Sequence, residues 1–470
     1  MSKISAMMDM GKRSLMNSQT ALQTVGHNIA NKSTEGYSRQ RVDLLSNVPI
    51  TEGNLQIGMG ARAGTVSRTN NPWLEKQIQR EGTNGGYLDS RADALGRVEQ
   101  VYNEQANKGL NQYVTDFFNS FRELSNNPES LASRTMVRES GFALTKDFQR
   151  VVGQLKDVQK DLDGQVKTTV EEVNQIAKEV AQLNEKIQMV EVQGTSANDE
   201  RDRRDLLLKK LGEKIDITWA EGSDGHVSVT AGRTAILVSG SSSNELHANY
   251  SPDRDRVEVY FKSSPTGTAF NITDQIKGGK IGGALDVRDN VVEDLLKDTD
   301  EMAYGIAKEV NAAHIEGFDK MGDQGVLFFD MPNDVKGAAE SMQLNKTIFN
   351  DVSRIVAGAK SGAAGDNTVA NVISSLQYKQ SMRDGTATFD DFYNTQVGQV
   401  GTVAQRAMKS QESQKNIISQ LNNIRESISG VSLDEETTKM VEFQKIYDAS
   451  ARLIRTADEM FETVLNLKRL

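Results

Sequence analysis

Two apolar patterns of the same spacing stand at the two ends of the chain, and they constrain its fold more than any other feature. In each, an apolar or small residue recurs in alternating steps of four and three, the spacing of a heptad seam in a coiled coil. The N-terminal seam consists of Ile4, Met8, Gly11, Leu15, Ser18, Leu22, Val25 and Ile29. The C-terminal seam consists of Met440, Phe443, Tyr447, Ser450, Ile454, Ala457, Phe461 and Val464. We expect the two helices to pair in one coiled coil, so that the chain folds back on itself.

The apolar stripe on these helices is wider than an isolated two-stranded coiled coil needs. The seams have weak members at Gly11, Ser18, Ser450 and Ala457, and further apolar residues flank them, namely Met7, Ala21, Ile446, Leu453 and Met460. One interpretation is a closed intramolecular bundle. We favour the other, in which the surplus contacts neighbouring subunits. The residues predicted for this assembly interface are Ile4, Met8, Leu15, Leu22, Val25, Ile29, Met440, Phe443, Tyr447, Ile454, Phe461 and Val464.

Helical periodicity dominates between the two ends and gives way once to strand-like alternation. It predicts helices over about 73–102, 110–124, 131–148, 151–190, 283–313 and 389–429. Alternating apolar residues between 215 and 276 indicate a small β domain. The predicted fold is mainly α with a small inserted all-β domain, a long helical bundle and paired N- and C-terminal coiled-coil helices. The predicted domains are 1–35 with 432–470 (terminal coiled coil), 36–213 with 277–431 (helical bundle) and 214–276 (outer β domain).

Two local signals refine this picture near the ends. Val42 and Leu44, with residues 63–66, predict a hairpin around the glycines between them. Ser432 and Glu435 form an S-x-x-E pattern, which predicts a capping box at the start of the C-terminal helix.

Composition excludes several classes of partner. The net charge of −10 and the absence of a dense Lys/Arg block argue against nucleic acid and against an anionic membrane surface. Cysteine is absent, which excludes disulfides and thiolate chemistry. No stretch approaches the roughly 20 apolar residues of a membrane span, and the N-terminus lacks the pattern of a cleaved signal peptide. Export, if it occurs, therefore requires a route without signal cleavage.

Little in the sequence indicates catalysis or a cofactor. The four histidines stand in no pair with metal-ligand spacing. Gly58, Gly60 and Ala63 match G-x-G-x-x-A, but a strand pattern follows them, so we interpret them as a turn. The loop at 319–330 is rich in aspartate but lacks the closing Glu of an EF-hand, and whether it binds an ion stays open. We predict no enzyme activity, no catalytic or metal site and no cofactor.

Motifs at both ends resemble those of a known family. Residues 19–31 read QTALQTVGHNIAN, and residues 34–40 read TEGYSRQ. Residues 429–436 read SGVSLDEE, and ASARLI and TADEMF follow at 449–454 and 456–461. These segments resemble flagellar rod, hook and hook-associated axial proteins. Interior stretches are similar to the hook-associated members, namely LSNNP at 124–128, ND at 198–199, RDLL at 204–207, GFD at 317–319 and GDN at 365–367.

This resemblance implies a structural protein that joins the flagellar hook to the filament and assembles through its terminal helices. Its implied partners are the hook protein, the second hook-filament junction protein, further copies in a ring or helical layer, and an export chaperone on the C-terminal helix. Its implied location is extracellular, in the hook-filament junction of a bacterial flagellum, reached by flagellar type III export without a cleaved signal peptide. The terminal helices would form the inner tube, and the β domain would face outward. The interval 329–367 is too short for the further outer domain that family members often carry.

Two alternatives stay open. One is another axial flagellar subunit, which would be the second junction protein, the hook protein or a flagellin. The other is a secreted wall hydrolase on an axial scaffold, whose site would draw on Asp224, His226, Glu245 and His247 in the β domain. The sequence leaves open the number of subunits in the junction, the contacts with each partner and the role of the β domain.

Overall fold

Long helices form most of the protein in the computed structural model, which describes residues 2–52, 55–102, 108–263, 267–330 and 334–467. The helices before the β region are α1 (Ser2–Ala30), α2 (Pro72–Val101), α3 (Leu110–Asn126), α4 (Leu131–Glu191) and α5 (Asn198–Lys214). Those after it are α6 (Gly279–Asp286), α7 (Glu293–Ile315), α8 (Ala338–Ser341), α9 (Lys346–Asn350), α10 (Thr368–Ser375), α11 (Phe389–Ser429) and α12 (Leu433–Leu467). The mainly α fold with an inserted β region is confirmed.

The helix α4 is one continuous element of 61 residues, where the sequence analysis predicted two. Phe148 and Val151, on either side of the predicted break, are both fully buried three residues apart. That spacing keeps them on one face, so the apolar stripe continues and nothing ends the helix. At 1.5 Å per residue, α4 is about 90 Å long.

A π-helical turn over Val287–Val292 joins α6 to α7 inside what the sequence predicted as one helix. The wider turn carries Arg288, whose buried guanidinium pairs with Asp163 of α4 at 2.5 Å and with Asp289 at 2.7 Å. Insertions of this kind re-aim a side chain within a helix. Here the turn places a charge-paired arginine between α4 and the β region.

Two short antiparallel hairpins lie between α1 and α2. Strands β1 (Gln40–Ser46) and β4 (Ala61–Arg68) pair with Gln40 opposite Arg68, and β2 (Ile50–Glu52) pairs with β3 (Leu55–Ile57). The predicted hairpin is confirmed. It packs beside α1, because the Asn17 side chain donates to the Ala61 carbonyl at 2.8 Å and accepts from the Ala63 amide at 2.8 Å.

The inserted β region consists of two antiparallel sheets seated on α4. The four-stranded sheet contains β5 (Ile217–Glu221), β6 (Val227–Ala231), β7 (Ala235–Ser239) and β8 (Ser242–Ser243) in that order. The three-stranded sheet has the order β11 (Ala269–Asn271), β10 (Arg256–Lys262) and β9 (Glu245–Ser251). Asn184 of α4 bonds both backbone groups of Val227, and Asn174 bonds both of Leu246. The buried strand residues join the helical core, and the division into three domains stays a prediction.

The aspartate-rich loop after α7 carries its own counter-charge. Arg354 donates to Asp319 at 2.7 Å and to Asp323 at 2.6 Å. The other oxygen of Asp319 accepts the amides of Met321 and Asp323. The Arg354 guanidinium thus gives both carboxylates a positively charged partner within the protein. A further antiparallel pair, β12 (Phe329–Asp330) and β13 (Gln343–Leu344), follows the loop.

Candidate assembly surface

The two terminal helices lie side by side and run in opposite directions. Gly11 of α1 packs against Ile454 of α12, and near the other end Asn28 donates to the buried Glu436 carboxylate at 2.9 Å. Between them the Ser14 and Ser450 hydroxyls are 2.6 Å apart. Early residues of one helix thus meet late residues of the other, and the predicted pairing of the chain ends is confirmed.

Small residues make the closest contacts between α1 and α12. A Cβ atom on Gly11 would lie 2.7 Å from Cγ1 of Ile454, closer than real Cβ contacts allow. Ser18, Ser450 and Ala457 are also buried. The sequence analysis treated these residues as weak points in the seams. The structure shows that they allow the two helices to approach closely, with larger side chains to either side.

The twelve residues predicted for the assembly interface keep much of their surface in the single chain. Val25 is buried. Tyr447 and Val464 are exposed. The others are partly exposed, and they are Ile4, Met8, Leu15, Leu22, Ile29, Met440, Phe443, Ile454 and Phe461. Their contact with neighbouring subunits stays a prediction.

Further apolar side chains extend this exposed surface. Met16 of α1 is 56% exposed, and the exposed apolar residues of α12 also include Val441, Ile446, Met460 and Leu465. Scattered apolar residues are ordinary on a protein surface, whereas a continuous series along a helix marks an interaction site. We define the exposed apolar residues of α1 and α12 together as the terminal stripe.

An apolar groove of about 580 Å³ runs beside the helix pair. Small residues of α1 contribute to its lining, among them Gly11, Ser18 and Ala21. Phe443 and Ile446 of α12 and residues of β1 also line it. The groove widens the apolar surface that the terminal helices present.

The hairpin adds apolar residues that the sequence analysis did not single out as surface. Leu44, Leu45, Val48 and Ile50 are exposed, and Val48 is 82% exposed. The apolar residues were visible in the sequence, within and beside strands that pair with only one neighbour each. Only the structure shows that none of the neighbouring elements it describes covers these side chains.

The start of α12 differs from the predicted capping box. The Ser432 carbonyl accepts the amide of Glu436, as expected for the residue before a helix. The Glu435 carboxylate pairs with Arg39 at 2.7 Å instead of reaching back to Ser432. A tertiary ion pair of Glu435 with Arg39 therefore takes the place of the predicted hydrogen bond between Glu435 and Ser432.

The residues considered for a hydrolase do not gather at one site. Asp224 and His226 share a turn, with Oδ2 and Nδ1 3.4 Å apart. Glu245 and His247 lie on β9 of the other sheet. Within the described ranges, no group of three or more His, Cys, Asp and Glu side chains is placed to hold a metal ion. In those same ranges no helix has the length and apolar character to cross a membrane.

Comparison with known families gives two matches along the chain. Residues 95–329 match the family model described as flagellar hook-associated protein FlgK helical domain. Residues 426–467, which include all of α12, match the flagellar basal body rod FlgEFG protein C-terminal model. The second match covers half of the terminal helix pair.

Relatives and a solved structure agree with these matches. The chain is 30% identical to flagellar hook-associated protein 1 of Bacillus subtilis, over 98% of this chain and 97% of that protein. It is 23% identical to the protein of the same name in Escherichia coli, over 96% and 97%. The flagellar hook junction protein FlgK of Burkholderia pseudomallei shares the fold with a TM-score of 0.68 at 15% identity, over 75% of this chain and 100% of that one. Because the chain is 30% identical to a hook-associated protein over nearly the full length of both, it belongs to the FlgK family of flagellar hook-associated proteins.

Proposed function

We propose that this protein is a structural subunit of the bacterial flagellum that links the hook to the filament and assembles through its terminal helices. The observation that carries the proposal is the terminal stripe, which one chain leaves exposed. The names of the relatives, hook-associated protein 1 and flagellar hook junction protein, support the same location. The match of α12 to a rod-protein model supports assembly by the helix that axial subunits share.

The terminal stripe supplies a large part of the area that a stable subunit contact needs. With 35 residues, α12 is about 50 Å long at 1.5 Å per residue. A stripe about 10 Å wide along α12 offers roughly 500 Å², and Met16 with the partly exposed seam residues of α1 adds to it; a stable interface takes about 800 Å² from each partner. Burial of this surface at about 25 cal/mol per Å² supplies the driving force for assembly.

The proposed partners follow from this surface and from the family. Copies of the chain would pack through the terminal stripe in a ring or helical layer, with the hook protein on one side and the second junction protein on the other. The exposed face of α12 is accessible to an export chaperone before assembly. The protein would act outside the cell after type III export without signal cleavage, and its role would be structural instead of catalytic.

Removal of residues 440–470 tests the proposal. The truncated chain should keep its folded middle, measured by circular dichroism, and should be absent from the hook tip in immunolabelled cells. Incorporation of the truncated chain at the normal level would refute the proposal. Labelling along the whole filament by the full-length chain would favour a flagellin-like subunit.

A point variant gives a sharper version of the same test. The double variant Met460→Ser/Val464→Ser removes two exposed apolar side chains from α12. The double variant Tyr250→Ser/Phe270→Ser removes two side chains of the three-stranded sheet that are more exposed than these. We expect the first to lose incorporation at the hook tip and the second to retain it.

A further inference from the structure

The chain crosses between two parts of the molecule through two short connections. We define the terminal module as α1, the hairpins of β1–β4, and α12. Residues 69–71 connect it to α2, and residues 430–432 connect it to α11. A cluster of polar contacts surrounds both connections. We call this cluster the joint, and it consists of Arg425, Asp202, Arg68, Glu75 and residues 36–39.

Arg425 ties three elements together within the joint. Its side chain is 8% exposed, and its Nε donates to Glu75 of α2 at 3.0 Å. Its Nη2 donates to the carbonyl oxygens of Gly36 at 2.9 Å and Tyr37 at 3.3 Å. Arginine is suited to this position because its rigid guanidinium directs several donors at fixed angles. The last turns of α11 thereby hold the segment that follows α1.

Asp202 of α5 holds the base of the β1–β4 hairpin on both sides. Its side chain is 6% exposed, and it accepts the Ser38 amide at 2.7 Å and Arg68 at 2.8 Å. Asp205, one turn further along α5, also pairs with Arg68 at 2.6 Å. Ser38 precedes β1, and Arg68 ends β4. One carboxylate therefore fixes both strands where they leave the bundle.

Backbone contacts join the same segments. The Arg39 amide donates to the Ser429 carbonyl at 2.8 Å, and the Thr69 amide donates to the Arg39 carbonyl at 2.8 Å. Gly36 has a positive φ of 82°, and a Cβ there would lie 3.1 Å from Cβ of Leu206. The two connections and the start of the hairpin are therefore held close to α5 and α11.

We propose that Arg425 and Asp202 are positioning residues that fix the orientation of the terminal module relative to the helical bundle. The inference rests on the proposed assembly through the terminal stripe. None of the joint residues belongs to the main hydrophobic core, which extends from Ala92 to Ala407. Removing either side chain weakens the joint without abolishing it, because Arg68 then pairs with Asp205 alone, or Glu75 with Lys209 alone, and residues 36–38 lose hydrogen bonds to the bundle. Substitution of Arg425 or Asp202 should therefore let the terminal module vary in orientation while the bundle stays folded.

Spin-label distance measurements test the orientation directly. The chain has no cysteine, so two introduced cysteines carry the labels without interference. Lys160 on α4 and Lys445 on α12 are both exposed and lie on either side of the joint, so Lys160→Cys and Lys445→Cys provide the two labelling sites. We expect one narrow distance distribution in the otherwise unchanged chain. Arg425→Gln and Asp202→Asn should broaden it, and Arg406→Gln, at an exposed arginine of the same helix, should not.

Circular dichroism and incorporation at the hook tip complete the experiment. The inference is supported if the bundle of Arg425→Gln and Asp202→Asn still unfolds cooperatively. The distance distribution of these variants must also broaden, and their incorporation at the hook tip must fall. If Arg425→Gln does not fold, Arg425→Lys is the second variant. It keeps a positive charge beside Glu75 but lacks the guanidinium group that donates to the carbonyls of residues 36 and 37. The same broadening and loss are expected from it.

Two outcomes overturn the inference. A distance distribution that stays narrow in the folded variants would show that these residues do not set the orientation. A broadened distribution with normal incorporation would show that a fixed orientation is not needed for assembly. Failure of the proposed function would be recognised separately, as normal incorporation of Met460→Ser/Val464→Ser with an intact joint.

Discussion

His314 is a buried histidine whose two ring nitrogens both have backbone partners. Nε2 lies 3.0 Å from the Val356 amide, and Nδ1 lies 2.6 Å from the Val326 carbonyl. These partners require a neutral ring in which Nε2 accepts and Nδ1 donates. Burial, with a smaller contribution from the Arg134 charge, lowers the pKa of His314 from 6.5 to about 4. The residue therefore couples the stability of this region to pH.

We predict that the free energy of unfolding falls as pH decreases from 6.5 towards 4. The unfolded chain binds a proton at His314 near pH 6.5, whereas the folded chain binds it only near pH 4. The unfolded state therefore takes up more protons across this window. The resulting decrease in the free energy of unfolding approaches about 3 kcal/mol. Urea unfolding at pH 7 and pH 4.5 measures it. His314→Gln should reduce the pH dependence and His247→Gln should not; equal slopes in all three proteins would contradict the prediction.

Gly11 gives a second prediction at the residue scale. Gly11→Val places branched atoms where a single Cβ already lies 2.7 Å from Ile454, so the helix pair must separate at a cost of about 1–3 kcal/mol. Hydrogen exchange in α1 and α12 should accelerate. Gly26→Val is the matched control, because nothing lies within 4 Å of a Cβ at that position of the same helix. Equal exchange in both variants would mean that the pair tolerates a side chain at Gly11.

At the scale of elements, α4 is the support on which both sheets of the β region are built. Asn184 of α4 is fully buried and bonds Val227, the Gly240 carbonyl and Arg204. An asparagine side chain suits this position because it can donate to and accept from one strand at the same time. The attachment of the four-stranded sheet thus depends on a polar contact inside an otherwise apolar face.

We predict that Asn184→Ala destabilises the protein by about 3 kcal/mol, because it leaves several buried backbone groups without a partner. Thermal unfolding followed by circular dichroism measures the loss. Asn119→Ala, at an exposed position of α3, should change the stability by less than about 0.5 kcal/mol. A similar small effect at Asn184 would show that water replaces its contacts.

At the scale of the whole molecule, early helices pair with late ones. α1 lies against α12, and α2 lies against α11, where the Gln414 side chain bonds Glu81 and Asn84. Among the residues that the structure describes, the main hydrophobic core contains none from the terminal module. The bundle therefore has its own source of stability, while the terminal module depends on the packing of α1 against α12 and the hairpin and on the joint.

We predict that a chain of residues 69–431 folds without the terminal module. It should unfold cooperatively at a temperature close to that of the full-length protein, because the main core is complete within it. Differential scanning calorimetry of the two chains checks this. A molten or aggregated product would show that the terminal module contributes to the core after all.

Periodicity along the chain predicted most helices and the hairpin. It predicted α11 to the residue, and it also predicted the pairing of the chain ends. It failed at residues 148–151, where two separate helices were predicted although Phe148 and Val151 lie on one continuous buried face of α4. It failed again at Ser432, where Arg39 binds Glu435 from a distant part of the sequence. Both errors arise because spacing reports the face of a helix and not what that face contacts.

The sequence by itself determined the family, the fold class and the apolar faces of the terminal helices, because spacing and motif are local properties. Only the tertiary structure decided that Gly11 and Ser450 lie where the helices come closest, and that larger residues of the seams remain exposed. It alone brought Arg425 to residues 36 and 37 and placed Asp202 beside Arg68. Such contacts depend on the rotation and separation of helices that lie hundreds of residues apart in the chain, and no local pattern encodes them.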